Sequence, residues 1–127
     1  MKKIGIIILS LFLLIGCTIK KEYKSISMEE AIKQMEQETD YMLVDVRSEE
    51  EYFENHIPGA INIPNESIGT EKIKKLSNKD QKIFVYCRSG NRSKQAAKKL
   101  VLLGYTNIVE IGGILDWNGA LEHGFGE

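Results

Sequence analysis

Cys87, Arg88 and Arg92 fall close together in the run Cys87-Arg88-Ser89-Gly90-Asn91-Arg92-Ser93. An apolar, β-prone stretch, Ile83-Phe84-Val85-Tyr86, leads into the cysteine, and a helical pattern over Lys94 to Leu103 follows it. Strand, tight loop and helix in that order put one thiol at the carboxyl end of a buried strand. Successive backbone N–H groups in such a loop, with the positive end of the helix dipole behind them, form a concavity that holds negative charge. Gly90 supplies backbone angles that a side chain resists, and Asn91 tolerates them better than most residues. Arg88 and Arg92 add two fixed positive charges. These surroundings favour a thiolate, the nucleophilic form of cysteine. A cysteine serving only as apolar filler would need neither the glycine, nor the arginines, nor the helix start. The pattern therefore points to sulfur-anion chemistry, with Cys87 as nucleophile and Arg88, Ser89, Gly90, Asn91, Arg92 and Ser93 as the binding ring.

Something must hold that loop, and the chain is long enough to do it with a single core: 127 residues make one domain of ordinary size. With 17 basic and 18 acidic residues the formal net charge is −1. There is no basic stripe with interleaved aromatics, so a nucleic-acid partner is not expected. Nor is there a His/Cys cluster at metal-ligand spacing, and no metal or organic cofactor is implied.

The first residues read as a targeting segment. Met1-Lys2-Lys3 is a charged start and Ile4 to Ile15 an apolar run broken only by Gly5 and Ser10. Twelve residues at about 1.5 Å each fall short of a hydrocarbon core of about 30 Å, which argues for an export signal over a membrane-spanning helix. Leu14-Ile15-Gly16-Cys17 resembles the bacterial lipobox. That resemblance implies residues 1–16 as a lipoprotein signal peptide, Cys17 as the lipidated first residue, 17–24 as a polar tether and 25–127 as the folded domain. Loss of Lys2 and Lys3 would leave 15 basic against 18 acidic residues, a mature net of −3. The expected location is the extracytoplasmic face of the cell membrane.

Along the domain, Tyr23 to Ile26 suits a short edge strand, and Ser27 caps a helix reaching about Gln37. Tyr41 to Val46 reads as a buried strand, Ser48 as the cap of a short helix over Glu49 to Asn55, and Ala60 to Ile63 as another strand. The spacing predicts a helix over Ser67 to Leu76, a strand over Lys82 to Tyr86, and a strand over Asn107 to Ile111. A terminal helix is expected over Ile114 to Ala120. Alternating strands and helices argue an α/β domain with a mostly parallel sheet, whose ligands sit beyond the carboxyl ends of the strands, where Cys87 falls.

Four segments carry a family resemblance: Asp45-Val46-Arg47 with Glu51-Tyr52, His56-Ile57-Pro58-Gly59-Ala60-Ile61-Asn62-Ile63-Pro64, the Cys87 to Ser93 loop, and Gly112-Gly113-Ile114-Leu115-Asp116-Trp117. In that order and spacing the chain resembles a single-domain rhodanese. The resemblance implies a three-layer domain, its central sheet flanked by helices. It also implies a sulfurtransferase in which Cys87 takes a sulfane sulfur from a thiosulfate-like or polysulfide donor. The resulting persulfide passes its sulfur to a thiol or cyanide-like acceptor, a protein thiol among the candidates. Asp45, Arg47, His56 and Trp117 are expected to support the structure, and His123 to be exposed and idle.

Two other functions stay in view. The same site could carry or sense persulfide sulfur, or bind a protein partner, at the cell surface. More remote is cysteine-dependent phosphatase or arsenate reductase chemistry, whose loop has five residues between Cys and Arg. Here Cys87 and Arg92 enclose only Arg88-Ser89-Gly90-Asn91, a tighter ring suited to a single sulfur atom.

Overall fold

The computed structural model describes residues 22–69 and 71–125. The expected signal segment and Cys17 lie outside the described residues. Five strands, β1 (Lys24–Ser25), β2 (Tyr41–Asp45), β3 (Ile61–Asn62), β4 (Lys82–Cys87) and β5 (Ile108–Gly113), form one sheet in the order β1-β5-β4-β2-β3. Every pairing within it is parallel. Helices α1 (Met28–Gln37), α2 (Glu49–Glu54) and α3 (Asn91–Leu102) cover its faces.

The period-two alternation of β4 divides the core. Ile83, Val85 and Cys87 join Ala96, Ala97 and Leu100 of α3 in one buried cluster. Phe84 and Tyr86 join Met28 and Ala31 of α1 and Tyr52 of α2 in the other. A parallel sheet buried on both faces needs such apolar runs, and the result is the expected three-layer α/β domain. Both expected helix caps form. Ser27 accepts from the Glu30 N–H at 3.1 Å, and at Ser48 the box is reciprocal, with the Glu51 carboxylate accepting from the Ser48 N–H.

Four expectations about elements need correction. Ser67 to Leu76 is not a helix: a 3-10 turn over Asn65–Ser67 leads into irregular chain. Ile68 and Leu76 are still buried, but Ile73 comes five positions after Ile68 and Gly69 lies between them, so no continuous helical stripe exists to bury. The terminal helix is a single 3-10 turn, Ile114–Asp116; Trp117 turns extended and its indole N–H donates to the Ala120 carbonyl at 3.0 Å. β4 runs one residue past its expected end at Tyr86 and closes on Cys87, which keeps the thiol at the carboxyl end of the strand. Finally, α3 begins at Asn91, three residues early, because Gly90 in the left-handed region (φ 115°) acts as its N-cap. Arg92 and Ser93 therefore stand on the first helical turn.

The register between β4 and β5 slips at the functional end: Val85 faces Glu110, but Cys87 faces Gly113. Two steps on β4 match three on β5, so β5 carries one extra residue, a bulge of the kind that re-aims chain beside active sites. At Gly113 a side chain has no room, since a Cβ there would strike the Arg88 carbonyl and come within 2.6 Å of Ser89 Cα. Both obstacles are backbone. Gly113→Ala should therefore push the loop off the sheet and destabilise the domain by at least about 1–3 kcal/mol. Urea unfolding checks this, and a stability unchanged from the parent would show that the approach is not needed.

Candidate active site

Cys87 ends β4 facing α3, and its residue is 1% exposed. The Gly90 N–H donates to Sγ at 3.0 Å, and the Ser93 hydroxyl oxygen lies 3.5 Å from the sulfur. Behind them is the N-terminus of the 12-residue α3, whose dipole favours negative charge there. The strand, the left-handed glycine and the helix start thus bring sulfur, amide and dipole to one point. That arrangement suits a sulfur anion.

The remaining ring residues do different work. Arg88, Ser89 and Asn91 are exposed, while Gly90 and Ser93 are buried. Leu115 N–H donates to the Arg88 carbonyl at 3.3 Å, pinning the loop to the chain after β5. Arg92 does not point outward alone. Its guanidinium grips the Glu51 carboxylate in a two-pronged contact at 2.7 and 3.1 Å. The same carboxylate caps α2, so one residue ties α2 to the first turn of α3. The hydrogen bond to Arg92 brings Glu51 down to about 2, and the bond to Glu51 raises Arg92 in turn.

The four supporting residues occupy one flank and one rim. Arg47 binds the fully buried Asp45 at 2.7 Å and reaches the Asn55 carbonyl at 2.6 Å, fastening the end of β2 to the end of α2. His56 stacks on Tyr52 at 3.8 Å between centroids, with Nδ1 at 2.9 Å from the Tyr52 carbonyl and Nε2 at 3.6 Å from Glu122. Those contacts fix the turn and the carboxyl-terminal segment; they do not reach the sulfur. Trp117 is half-buried against the opposite face of the sheet, beside an apolar groove of 390 Å³ shared with α1. His123 is exposed, as expected, yet its Nδ1 meets the Glu54 carbonyl at 2.6 Å.

One residue of the site escaped the sequence reading. Glu110 of β5 is 2% exposed, and its carboxylate accepts from Ser93 Oγ and Ser25 Oγ, both at 2.6 Å, and from the Gly112 N–H at 2.9 Å. The available signal was a lone acid inside the apolar strand Ile108-Val109-Glu110-Ile111. Glu51 was visible only as part of a motif, because its partner Arg92 lies 41 residues away.

No described group of three or more His, Cys, Asp or Glu side chains could hold a metal ion. The Glu51–Arg92 pair yields a signed prediction. A carboxylate held near 2 in the fold against an ordinary 4.5 contributes stability above 4.5, lost as pH falls toward 2. Thermal melts over that window should show Glu51→Gln losing less stability on acidification than the parent. Identical acid slopes would contradict the pairing.

Comparison with known proteins places this geometry. The chain is 34% identical over 109 residues to an adenylyltransferase and sulfurtransferase of Ogataea parapolymorpha, covering 84% of this chain but only 28% of that protein's length. It is 37% identical over 73 residues to a thiosulfate sulfurtransferase of Escherichia coli, covering 58% of this chain and 70% of the relative. A solved rhodanese with anions from E. coli superposes with a TM-score of 0.59 at 35% identity, over 66% of this chain and 99% of the other. The family model for the rhodanese-like domain matches residues 27–120, which hold strands β2 to β5, the Cys87 loop and the Gly112-Gly113 turn. The chain belongs to the rhodanese-like domain family.

Proposed function

We propose that the protein is a sulfurtransferase that works through a persulfide on Cys87. The observation that carries the reading is the bond from the Gly90 N–H to the Cys87 sulfur at 3.0 Å, at the start of α3. A thiolate in that position attacks the sulfane sulfur of a donor; the donor's own bond to that sulfur breaks, and with thiosulfate the leaving group is sulfite. A thiol or cyanide-like acceptor then takes the outer sulfur and releases the thiolate. Membership of the family and the two sulfurtransferase relatives support this class of reaction.

A donor reaches the sulfur only if the residues around it give way, since Cys87 is 1% exposed. Arg88 is the arginine available to an anionic donor, because Arg92 is held by Glu51. The four-residue spacing between Cys87 and Arg92, together with that engagement, speaks against the phosphatase reading. The deep sulfur favours one second reading, in which Cys87 stores or senses sulfur without rapid turnover. We also propose, from the lipobox-like Leu14-Ile15-Gly16-Cys17, that the mature chain is anchored by lipid on Cys17 at the extracytoplasmic face of the membrane.

Cys87→Ser should abolish sulfur transfer from thiosulfate to cyanide while leaving the melting temperature near that of the parent. Arg88→Ala should weaken thiosulfate by roughly 1–3 kcal/mol through loss of a charge-assisted contact. Retained transfer in the serine variant refutes the mechanism, and aryl-phosphate turnover rivalling that on thiosulfate would replace the reaction. A persulfide that forms but does not transfer would favour carriage. For the anchor, Cys17→Ser should move the protein from the membrane to the soluble fraction of cells; an unchanged distribution contradicts lipidation.

A further inference from the structure

Three groups lie in line beneath the loop, all closed to water: Cys87 at 1% exposed, Ser93 at 0% and Glu110 at 2%. While the site is closed a thiol here is shielded from bulk solvent, and the polar atoms beside it are few. The Gly90 N–H is a donor and cannot accept. The Ser93 oxygen, at 3.5 Å, can accept. Ser93 has a single hydroxyl proton and three acceptors around it: the Gly90 carbonyl at 3.0 Å, the Gly112 carbonyl at 3.4 Å, and Glu110 Oε2 at 2.6 Å. The short contact to a carboxylate takes that proton, as charge-assisted bonds do, and leaves the oxygen's lone pairs for the thiol. Among the described residues, Glu110 is the one Brønsted base this hydrogen-bonded chain reaches.

We propose that Glu110 is a positioning residue that acts on Cys87 through Ser93, keeping the thiol's proton inside the protein during sulfur transfer. The Cys87 S–H proton passes to Ser93 Oγ as Ser93 passes its own to Glu110 Oε2. One S–H bond breaks, one O–H bond forms on the carboxylate, and no net charge leaves the pocket. The thiolate then attacks the donor, and when an acceptor removes the outer sulfur the regenerated thiolate recovers the stored proton by the reverse path. The Ser25 hydroxyl at 2.6 Å and the Gly112 N–H at 2.9 Å hold the carboxylate in place throughout.

The surrounding charges do not interrupt the line. On α3, Arg92 is taken by Glu51 of α2, and Lys94 lies beside Gly90. At the end of β2, Asp45 is taken by Arg47. Arg88 of the loop is exposed, and so is Lys24, the neighbour of Ser25 on β1.

The proposal rests on Cys87 being the reacting sulfur of the sulfurtransferase reading, so its test is separable from that activity. The full chain is treated with iodoacetamide over roughly pH 5 to 9 and alkylation is followed on the Cys87 peptide; sulfur loading from thiosulfate is measured in parallel. A proton shared between two groups leaves part of the sulfur ionised over a range of pH. The parent should therefore show an acid shoulder, its rate falling by much less than the about tenfold per pH unit of a lone thiol. Glu110→Gln, near-isosteric, and Ser93→Ala, which removes only a hydroxyl, should each lose the shoulder and follow a single curve. A shoulder-free parent overturns the relay even if neither variant folds, and so does a shoulder that survives in a folded variant. Loading without a shoulder sinks the relay alone; a shoulder without loading sinks the sulfurtransferase reading and with it the relay's part in transfer, leaving only a proton shared between Cys87 and Glu110.

Discussion

The approach of β5 to the loop after β4 governs the rest of the site. Gly113 lies so close to the Arg88 carbonyl and Ser89 that any side chain would collide with backbone. Because the strand can come that near, the Cys87 loop is short, Gly90 takes its left-handed turn, and α3 starts at once. The sulfur then ends beneath an amide and on the axis side of a helix dipole. The extra residue in β5 is the other face of the same approach: it lets the Gly112 N–H bond the Glu110 carboxylate instead of continuing the ladder. One glycine contact thus sets the position of the sulfur, the amide that bonds it and the acid behind it.

Charge around the sulfur is arranged in closed pairs. Arg92 is locked by Glu51, which also caps α2, and Arg47 is locked by Asp45 beneath it. Ion pairs of this kind do more for orientation than for stability. With both arginines committed, Arg88 is the exposed arginine of the loop. His56 is spent on the Tyr52 carbonyl and the carboxyl-terminal segment, and its ring nitrogens have their partners there.

Local patterns carried most of the fold. The alternation through Ile83, Phe84, Val85, Tyr86 and Cys87 assigns each side chain to one face of the sheet, and the serines at 27 and 48 mark their helices. The strand-loop-helix order around Cys87 was equally readable, since it depends on adjacent residues. What failed was also local in cause. Ile68, Ile73 and Leu76 looked helical by apolar content, yet each finds the core from irregular chain, and Trp117 is held by a carbonyl three residues on rather than by a helix. The pairings that define the site, Glu51 with Arg92 and Glu110 with Ser93, join residues 41 and 17 positions apart. Nothing in linear spacing announces such contacts; they exist because parallel strand order brings β5 beside β4 and lays α2 against the start of α3.

Sulfur transfer at this site requires that the sulfur under the Gly90 amide can carry a second sulfur atom. Mass spectrometry of the protein after exposure to thiosulfate or polysulfide addresses that directly. The expected result is the mass of one sulfur atom added on the Cys87 peptide and removed by cyanide. A Cys87 peptide that stays unmodified under both donors would contradict it.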